Sequence, residues 1–280
     1  MSFTLIENSM DLDFLNEELL QCPYIAIDTE FRRTTKDNMK LALLQVNDSS
    51  EIYLIDCLQI KEPKEICSFL CSPDTKKIFH SCREDIEAIY SWTKQRVLNI
   101  YDTQIANSLL GGSFSISYQG LVEEKIGLKV GKKETRTNWL RRPLSEAQLN
   151  YAASDVYYLI DLYRLQREEF SKTNKLEWLE EELNKASALG SFMETPRYRL
   201  FSVQKKEEKE ILIEFNKMVN EISRIEKINP TLFFSKQNQK TLMSTTLSLG
   251  LDEALKCLTK WRAGLIKEPF SVLMNSFGVS

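Results

Sequence analysis

Tyr24-Ile-Ala-Ile-Asp-Thr-Glu30 is a short apolar run that ends in two acids. Apolar and β-branched residues in a run of this length are typical of a buried strand. Asp28 and Glu30 are two positions apart, so their side chains point to the same face of that strand. Neighbouring carboxylates repel each other unless a proton or a cation lies between them, and a hard dication such as Mg²⁺ prefers oxygen ligands. The alternative is an ordinary pair of exposed acids at a strand end.

Other strand-like and helix-like segments lie on both sides of this run. Apolar, β-branched stretches predict strands, and apolar residues spaced three or four apart predict helices. Three strands in close succession, followed by β-α alternation, predict a mixed sheet with helices on its faces, which is an α/β fold. The predicted strands are Leu41–Val46, Ile52–Ile55 and Lys77–His80, and the predicted helices are Met10–Leu20, Pro63–Leu70 and Arg83–Tyr90.

The second half of the chain has a helical pattern. Ser145 and Gln148 have the spacing of a capping box, so we expect a helix that begins near Glu146 and continues towards Phe170. Further helices are predicted over residues 176–189, 207–226 and 252–266. The expected organisation is an α/β domain over residues 1–192, a linker over residues 193–204 and a small all-α domain over residues 205–280.

Composition excludes several classes of protein. The chain has 280 residues, of which 42% are hydrophobic and 28% are charged, as is typical of a soluble globular protein. No stretch approaches the roughly 20 consecutive apolar residues that span a bilayer. The acidic N-terminal residues do not resemble a secretory signal, and six cysteines without a Cys-x-x-Cys pair are expected to be reduced thiols. We therefore expect a cytoplasmic protein with no membrane partner.

The single histidine, His80, narrows the possible chemistry. A zinc site rich in histidine is excluded, and a Ser–His–Asp mechanism would depend on His80 alone. Catalysis is therefore expected to depend mainly on carboxylates, tyrosine, lysine or cysteine.

Two further groups of polar residues are candidates for a site. Glu84 and Asp85 open a helix after the strand that ends at His80, and Asp85 is the better candidate for an inward role because it neighbours buried positions. Tyr151 and Asp155 are four residues apart on a helix, so the phenol and the carboxylate share a face. The ordinary explanations are a helix-dipole effect for the first pair and a structural contact for the second.

The conjunction of these acids is more informative than any one of them. Carboxylates at Asp28, Glu30, Asp85 and Asp155 are expected to converge at one end of the sheet. Such a set can hold two Mg²⁺ ions about 4 Å apart, an arrangement that serves in-line attack on phosphodiesters.

A basic segment between residues 129 and 142 is the candidate surface for an anionic polymer. Lys132, Lys133 and Arg136 are expected to contact phosphates, and the indole of Trp139 is expected to stack on a base. The alternative is a solvated charged face with Trp139 buried beneath it. The basic residues of the segment are Lys129, Lys132, Lys133, Arg136, Arg141 and Arg142.

Five segments resemble, in the same order, those of the ribonuclease D family. This family belongs to the DEDD superfamily of 3′→5′ exonucleases, in the branch whose third motif contains tyrosine. Residues 205–280, with Leu258-Thr-Lys-Trp-Arg262, more weakly resemble a helicase-and-ribonuclease-D C-terminal (HRDC) domain. The five segments are Ala26-Ile-Asp-Thr-Glu-Phe31, Phe79-His-Ser-Cys-Arg-Glu-Asp85, Tyr101-Asp-Thr-Gln-Ile105, Thr135-Arg-Thr-Asn-Trp-Leu-Arg-Arg-Pro-Leu144 and Tyr151-Ala-Ala-Ser-Asp155.

The resemblance implies a ribonuclease H-like sheet and a specific activity. Asp28, Glu30, Asp85 and Asp155 would hold two divalent metal ions, Mg²⁺ or Mn²⁺, and Tyr151 would orient the attacking water. The implied reaction removes nucleoside 5′-monophosphates from the 3′ end of RNA, with precursor tRNA as the implied substrate and no protein partner. The implied HRDC-like domain binds nucleic acid. Two alternatives remain open: a DNA-directed 3′–5′ exonuclease with the same metal site, and a non-catalytic RNA-binding adaptor.

Overall fold

A mixed six-stranded sheet forms the centre of the N-terminal part of the chain. The computed structural model describes residues 2–35, 38–130, 137–187 and 205–278. The strand order is β1-β4-β3-β2-β5-β6, in which β2 pairs antiparallel with β3 and parallel with β5. The strands are β1 (Thr4–Ile6), β2 (Tyr24–Thr35), β3 (Asn38–Asn47), β4 (Ile52–Ile55), β5 (Lys76–Phe79) and β6 (Ile100–Asp102).

The central strand β2 is the one that carries Asp28 and Glu30. Ile25, Ala26 and Ile27 are completely buried, because strands pair with both edges of β2 and helices cover the sheet. The predicted strands within β3, β4 and β5 are also present, so the expected α/β fold with a mixed sheet and a helical C-terminal region is confirmed. The short edge strands β1 and β6 were not predicted.

Helices cover the sheet, and their ends follow local capping rules. Asn8 caps α1 by accepting a hydrogen bond from the Asp11 N–H, and Ser145 caps α5 through the predicted capping box with Gln148. The helices that precede residue 188 are α1 (Ser9–Leu20), α2 (Arg83–Thr93), α3 (Thr103–Leu109), α4 (Tyr118–Ile126), α5 (Glu146–Tyr157), α6 (Leu159–Ser171) and α7 (Leu176–Ser187).

The helix predicted over Pro63–Leu70 is wrong. Only a single 3₁₀ turn, Ser68–Leu70, forms there. The side chain of Asn16 on α1 accepts hydrogen bonds from the Phe69 N–H, at 3.0 Å, and from the Ser68 hydroxyl, at 3.1 Å. These contacts with α1 replace the regular helical hydrogen bonds that the sequence pattern predicted.

The single helix predicted from Glu146 towards Phe170 is interrupted at Tyr158. The hydroxyl of Tyr118 donates to the Ser154 carbonyl and accepts from the Tyr158 N–H, each at 3.0 Å. This hydroxyl therefore takes the place of the direct hydrogen bond between the two backbone groups, and a side chain inserted in this way bends or breaks a helix. The result is two helices, α5 and α6, with Asp155 in the last turn of α5.

The described residues form two compact units. The first contains the described part of residues 1–106, 115–172 and 183–191, and the second contains that of residues 107–114, 173–182 and 192–280. The predicted linker, residues 193–204, lies outside the described residues, so the domain division stays a prediction. Within the described ranges, every helix is too short or too polar to cross a bilayer.

The second unit is helical and has its own core. Trp178 and Trp261 stack with ring centroids 5.1 Å apart, and the Trp261 indole N–H donates to Glu182 at 2.9 Å. Arg262 is also buried and donates from Nη2 to Glu182 at 2.9 Å. The helix predicted over residues 252–266 is therefore two helices, the second of which starts where these side chains turn inward. The helices are α8 (Lys205–Glu226), α9 (Pro230–Phe234), α10 (Lys236–Leu249), α11 (Leu251–Lys256) and α12 (Lys260–Ser276).

Candidate active site

Three carboxylates from β2 and α5 meet in one cluster. One ligand oxygen from each of Asp28, Glu30 and Asp155 lies within 4.8 Å of the other two. Asp28 and Glu30 share a face of β2, as their spacing predicted, and α5 packs against β2 so that Asp155 reaches them. No other group of three or more metal-binding side chains this close together occurs in the described residues.

The electrostatics of the cluster fit a divalent cation. Burial, reinforced by the charge of Asp155, raises the pKa of Asp28 to about 8. Burial and the neighbouring acids raise the pKa of Glu30 to about 10, and burial raises the pKa of Asp155 to about 7. Within the described residues, the buried Oδ1 atom of Asp155 has no hydrogen-bond partner. Crowded carboxylates that retain protons in the absence of a cation, together with an unpartnered buried oxygen, are what a hard dication would deprotonate and ligate.

Asp85 lies beside this cluster without being one of its three members. It is buried in the first turn of α2, and its carboxylate accepts a 2.5 Å hydrogen bond from the hydroxyl of Thr29. Burial and the charge of Asp28 raise the pKa of Asp85 well above its ordinary value. The side chain of Glu84, by contrast, is 64% exposed and lies 3.5 Å from Arg33. Asp85 is therefore the inward residue of the pair, as predicted.

Asp102 fixes the turn that leads into α2. Its carboxylate accepts hydrogen bonds from the backbone N–H groups of Ser81, at 3.1 Å, and Cys82, at 2.8 Å. The same carboxylate accepts from the Gln104 and Ile105 N–H groups at the start of α3. Ser81 adopts a positive φ of 64°, which these bonds hold in place. Asp102 thus fixes the backbone from which Asp85 projects, a role that the sequence did not indicate.

Tyr151 and Asp155 share a face of α5 and interact directly. Hydrogen bonds from Tyr151 and Gln119 to the Asp155 carboxyl oppose the effect of burial by lowering its pKa. Burial, together with the charge and hydrogen bonding of Asp155, raises the pKa of the Tyr151 phenol above its ordinary value. Tyr151 is therefore protonated at neutral pH. Gln119 carries no motif signal that would have revealed its contact with Asp155.

Trp139 has a different position from the one predicted. Its side chain is 5% exposed, and its ring centroid lies 6.2 Å from that of Tyr151. The predicted role of the indole in stacking on a base is therefore corrected, because a buried ring presents no open face to a nucleotide. In this structure Trp139 packs beside Tyr151.

Part of the predicted basic surface also has a structural role. Arg142 donates hydrogen bonds to Asp56, at 2.7 Å, and to the carbonyl oxygens of Ala42, at 2.9 Å, and Trp139, at 2.7 Å. Its guanidinium is thus engaged by protein groups rather than displayed to a phosphate. Lys132, Lys133 and Arg136 lie outside the described residues.

His80 takes no part in the acidic cluster. Its Nδ1 lies 2.9 Å from the Thr103 hydroxyl, and its Nε2 lies 2.9 Å from the Ile116 carbonyl oxygen. Burial lowers the pKa of His80, so the ring is neutral at neutral pH. Nε2 must donate to the carbonyl, which leaves the histidine as a structural link.

Comparison with known proteins identifies the family. A family model described as 3′–5′ exonuclease matches residues 3–171. The chain belongs to this 3′–5′ exonuclease family. Ribonuclease D of Shewanella sp. (strain ANA-3) is 38% identical to this chain over 180 residues, which are 64% of the chain and 46% of that protein. The chain spans about half the length or less of the first curated relatives it matches. The expected resemblance to ribonuclease D is thereby confirmed.

Solved structures agree with this fold assignment. Ribonuclease D of Escherichia coli matches with a TM-score of 0.66 and 24% identity, over 99% of the present chain and 75% of the E. coli chain. NrnC of Brucella melitensis, solved with bound Mg²⁺, matches with a TM-score of 0.57 and 21% identity, over 73% of the present chain and 100% of the NrnC chain. At these identities the likeness establishes the fold.

Proposed function

We propose that the chain is a 3′–5′ exoribonuclease that removes nucleoside 5′-monophosphates one at a time from RNA. The observation that carries the proposal is the convergence of Asp28, Glu30 and Asp155 within 4.8 Å in a chain of the 3′–5′ exonuclease family. Relatives named ribonuclease D support RNA as the polymer. Precursor tRNA, trimmed at its 3′ end, is the substrate we propose within that class.

The acids would hold two divalent cations, Mg²⁺ or Mn²⁺. We assign Asp28, Glu30 and Asp155 as ligands from the cluster, and Asp85 as a fourth ligand from its place beside Asp28. When bound, such cations acidify water and stabilise the negative charge that develops on the departing 3′ oxygen. The fold of this chain is shared with a protein whose structure contains Mg²⁺, which supports that choice of ion.

Tyr151 would position the attacking water. Its phenol stays protonated at neutral pH, so it acts through a hydrogen bond rather than as a base. Asp155 fixes the phenol on one side, and the ring of Trp139 packs on another. These contacts reduce the freedom of the hydroxyl, and a fixed donor holds a water at a defined distance from the scissile phosphate.

Substrate grip would come from two further regions. The basic segment, through Lys132, Lys133 and Arg136, would contact phosphates next to the site. Residues 205–280 would form an HRDC-like domain that binds nucleic acid, separate from an exonuclease domain over residues 1–192. The six cysteines are free thiols, which agrees with the cytoplasm as the proposed compartment.

Digestion of end-labelled oligonucleotides tests the proposal. RNA labelled at its 3′ end should release labelled mononucleotide with Mg²⁺ or Mn²⁺, and EDTA should stop the release. RNA labelled at its 5′ end should shorten progressively, and Asp28→Ala should leave both substrates intact while retaining the fold. Single-stranded DNA of the same sequence serves as the parallel substrate, because RNA preference depends on contacts with the 2′-hydroxyl. Faster digestion of DNA would establish the DNA-directed alternative, and metal-independent binding without cleavage would establish the adaptor.

A further inference from the structure

Gln45 is a buried polar residue whose side chain makes no hydrogen bond that would stabilise the fold. It lies on β3 and is completely inaccessible to solvent. Neither its Nε2 nor its Oε1 atom has a hydrogen-bond partner among the described residues. The neighbouring positions Leu43, Leu44 and Val46 are all apolar and completely buried. An unpaired amide in such surroundings destabilises the folded state, so an apolar residue would serve packing better.

The strand register places Gln45 next to the acidic cluster. Gln45 pairs directly with Asp28 across the antiparallel β2–β3 ladder. Directly opposed side chains on such a ladder lie on the same face, with their Cβ atoms about 5 Å apart. Helix α5, which carries Asp155, packs against both β2 and β3. The buried Oδ1 of Asp155 is likewise without a partner in the described part of the chain. An unused donor therefore lies beside Asp28 and on the strand against which α5 carries Asp155, a buried carboxylate with an unused acceptor.

We propose that Gln45 is a positioning residue for the metal centre. In the metal-loaded protein its side-chain N–H donates a hydrogen bond to the carboxylates of Asp28 or Asp155 and so fixes the direction in which their oxygens meet the cation. Groups that orient metal ligands through hydrogen bonds contribute to metal affinity. This inference rests on the proposed metal-dependent function, and it explains why an amide occupies an otherwise apolar strand position.

Gln45→Met separates this role from ordinary packing. Methionine has a similar length and volume and removes both polar atoms. A packing role predicts unchanged or higher thermal stability without metal and an unchanged dissociation constant for Mn²⁺. The proposed role also predicts unchanged or higher thermal stability without metal, but it predicts a Mn²⁺ dissociation constant about 10-fold higher than that of the wild type. Turnover on labelled RNA should fall while KM stays the same, because the change affects the reacting centre rather than substrate grip.

The measurement is a Mn²⁺ titration followed by electron paramagnetic resonance, with thermal unfolding of the metal-free protein in parallel. Leu44→Met is the matched control, since Leu44 is the next residue of β3, points to the opposite face and is equally buried. It should leave Mn²⁺ affinity unchanged. Gln45→Leu is a second variant that also removes both polar atoms, and the same changes in Mn²⁺ affinity and turnover are expected of it.

Two outcomes would overturn the inference, and they differ in what else they overturn. Wild-type affinity for Mn²⁺ in both Gln45 variants, with a wild-type protein that binds Mn²⁺ and degrades RNA, would refute the role of Gln45 alone. A wild-type protein that neither binds Mn²⁺ nor degrades RNA would refute the proposed function together with this inference.

Discussion

The hydroxyl of Thr29 donates a 2.5 Å hydrogen bond to the carboxylate of Asp85, and thereby ties the central strand to the first turn of α2. Both side chains are buried, so the bond is shielded from competing water. Thr29 lies between the two acids of β2, yet it belongs to no recognisable set of catalytic residue types. Its contact identifies it as the residue that orients Asp85.

Thr29→Val should lower turnover about 10- to 100-fold, because valine keeps the shape of threonine and removes the hydroxyl that donates to Asp85. KM for RNA should change little. Thr29→Ser keeps a hydroxyl and should retain most of the activity. Steady-state kinetics on 3′-labelled RNA checks both variants. Equal activities of the valine and serine variants would show that the hydrogen bond does not matter at this position.

Tyr151→Phe should reduce kcat about 100-fold and leave KM nearly unchanged. Phenylalanine keeps the contact with Trp139 but cannot hold a water, so the loss should fall on the chemical step. Single-turnover cleavage and equilibrium binding of RNA measure the two effects separately. Asp155→Asn sets the upper limit for the loss of kcat. It should lower kcat about 1000-fold, which corresponds to roughly 4 kcal/mol of transition-state stabilisation. Weaker binding of RNA by Tyr151→Phe at undiminished turnover would assign the phenol to the substrate instead.

Local patterns predicted the elements that carry the site. The apolar run that ends at Asp28, the capping box at Ser145 and the choice of Asp85 over Glu84 as the inward residue all depend on near neighbours in sequence, and each is present in the structure. These features bring Asp28, Glu30 and Asp155 together once the sheet forms.

The features that the sequence did not reveal depend on contacts between distant segments. The Tyr118 hydroxyl interrupts the helix after Asp155. The Asn16 side chain binds the backbone N–H of Phe69, where only a 3₁₀ turn forms in place of the predicted helix. Trp139 and Arg142 stand in a basic segment, yet Trp139 is buried, as the alternative interpretation had it, and Arg142 binds the buried carboxylate of Asp56. Composition records how many charges a segment has, but not which of them already have partners.

Lys132→Ala combined with Lys133→Ala should weaken RNA binding and reduce its salt dependence. If each lysine contacts one phosphate, the slope of log affinity against log salt should fall by about 1.4 for single-stranded RNA. Lys61→Ala combined with Lys172→Ala removes the same charge from exposed positions elsewhere and should leave the slope unchanged. Binding titrations at several salt concentrations make the comparison. Equal slopes for the two double variants would show that the basic segment does not bind RNA phosphates.

Arg142→Met should destabilise the fold instead of weakening RNA contacts. The change leaves the Asp56 side chain, which is 2% exposed, without its cation. Breaking a buried pair in this way costs about 3 kcal/mol in the free energy of unfolding. Arg141→Met, at the adjacent exposed position, should change that free energy by less than about 0.5 kcal/mol. Denaturant unfolding measures both values, and a stable Arg142→Met protein with a reduced salt slope would make Arg142 a phosphate contact after all.

The metal-free protein should lose stability as the pH rises from about 5 to about 8. The folded-state pKa values of Asp28, about 8, and Asp155, about 7, lie above the unfolded value of about 4, so between these limits the folded state binds more protons than the unfolded state. The free energy of unfolding therefore falls with pH, by at most about 1.4 kcal/mol per pH unit for each excess proton. Saturating Mn²⁺ should remove most of this fall, because the cation replaces the protons.

Asp28→Asn isolates the contribution of the cluster to that pH dependence. Burial lowers the pKa of Lys77 to about 7, so above that pH this lysine makes the free energy of unfolding rise with pH. Lys77 is present in both proteins, so its effect cancels when their pH slopes are subtracted. The variant should show a shallower fall than the wild type, because the amide neither titrates nor repels Asp155. Thermal unfolding in EDTA across the pH range gives both slopes. Parallel slopes for the variant and the wild type would mean that these acids are ionised in the metal-free fold, which would contradict the crowding of charge on which the metal site depends.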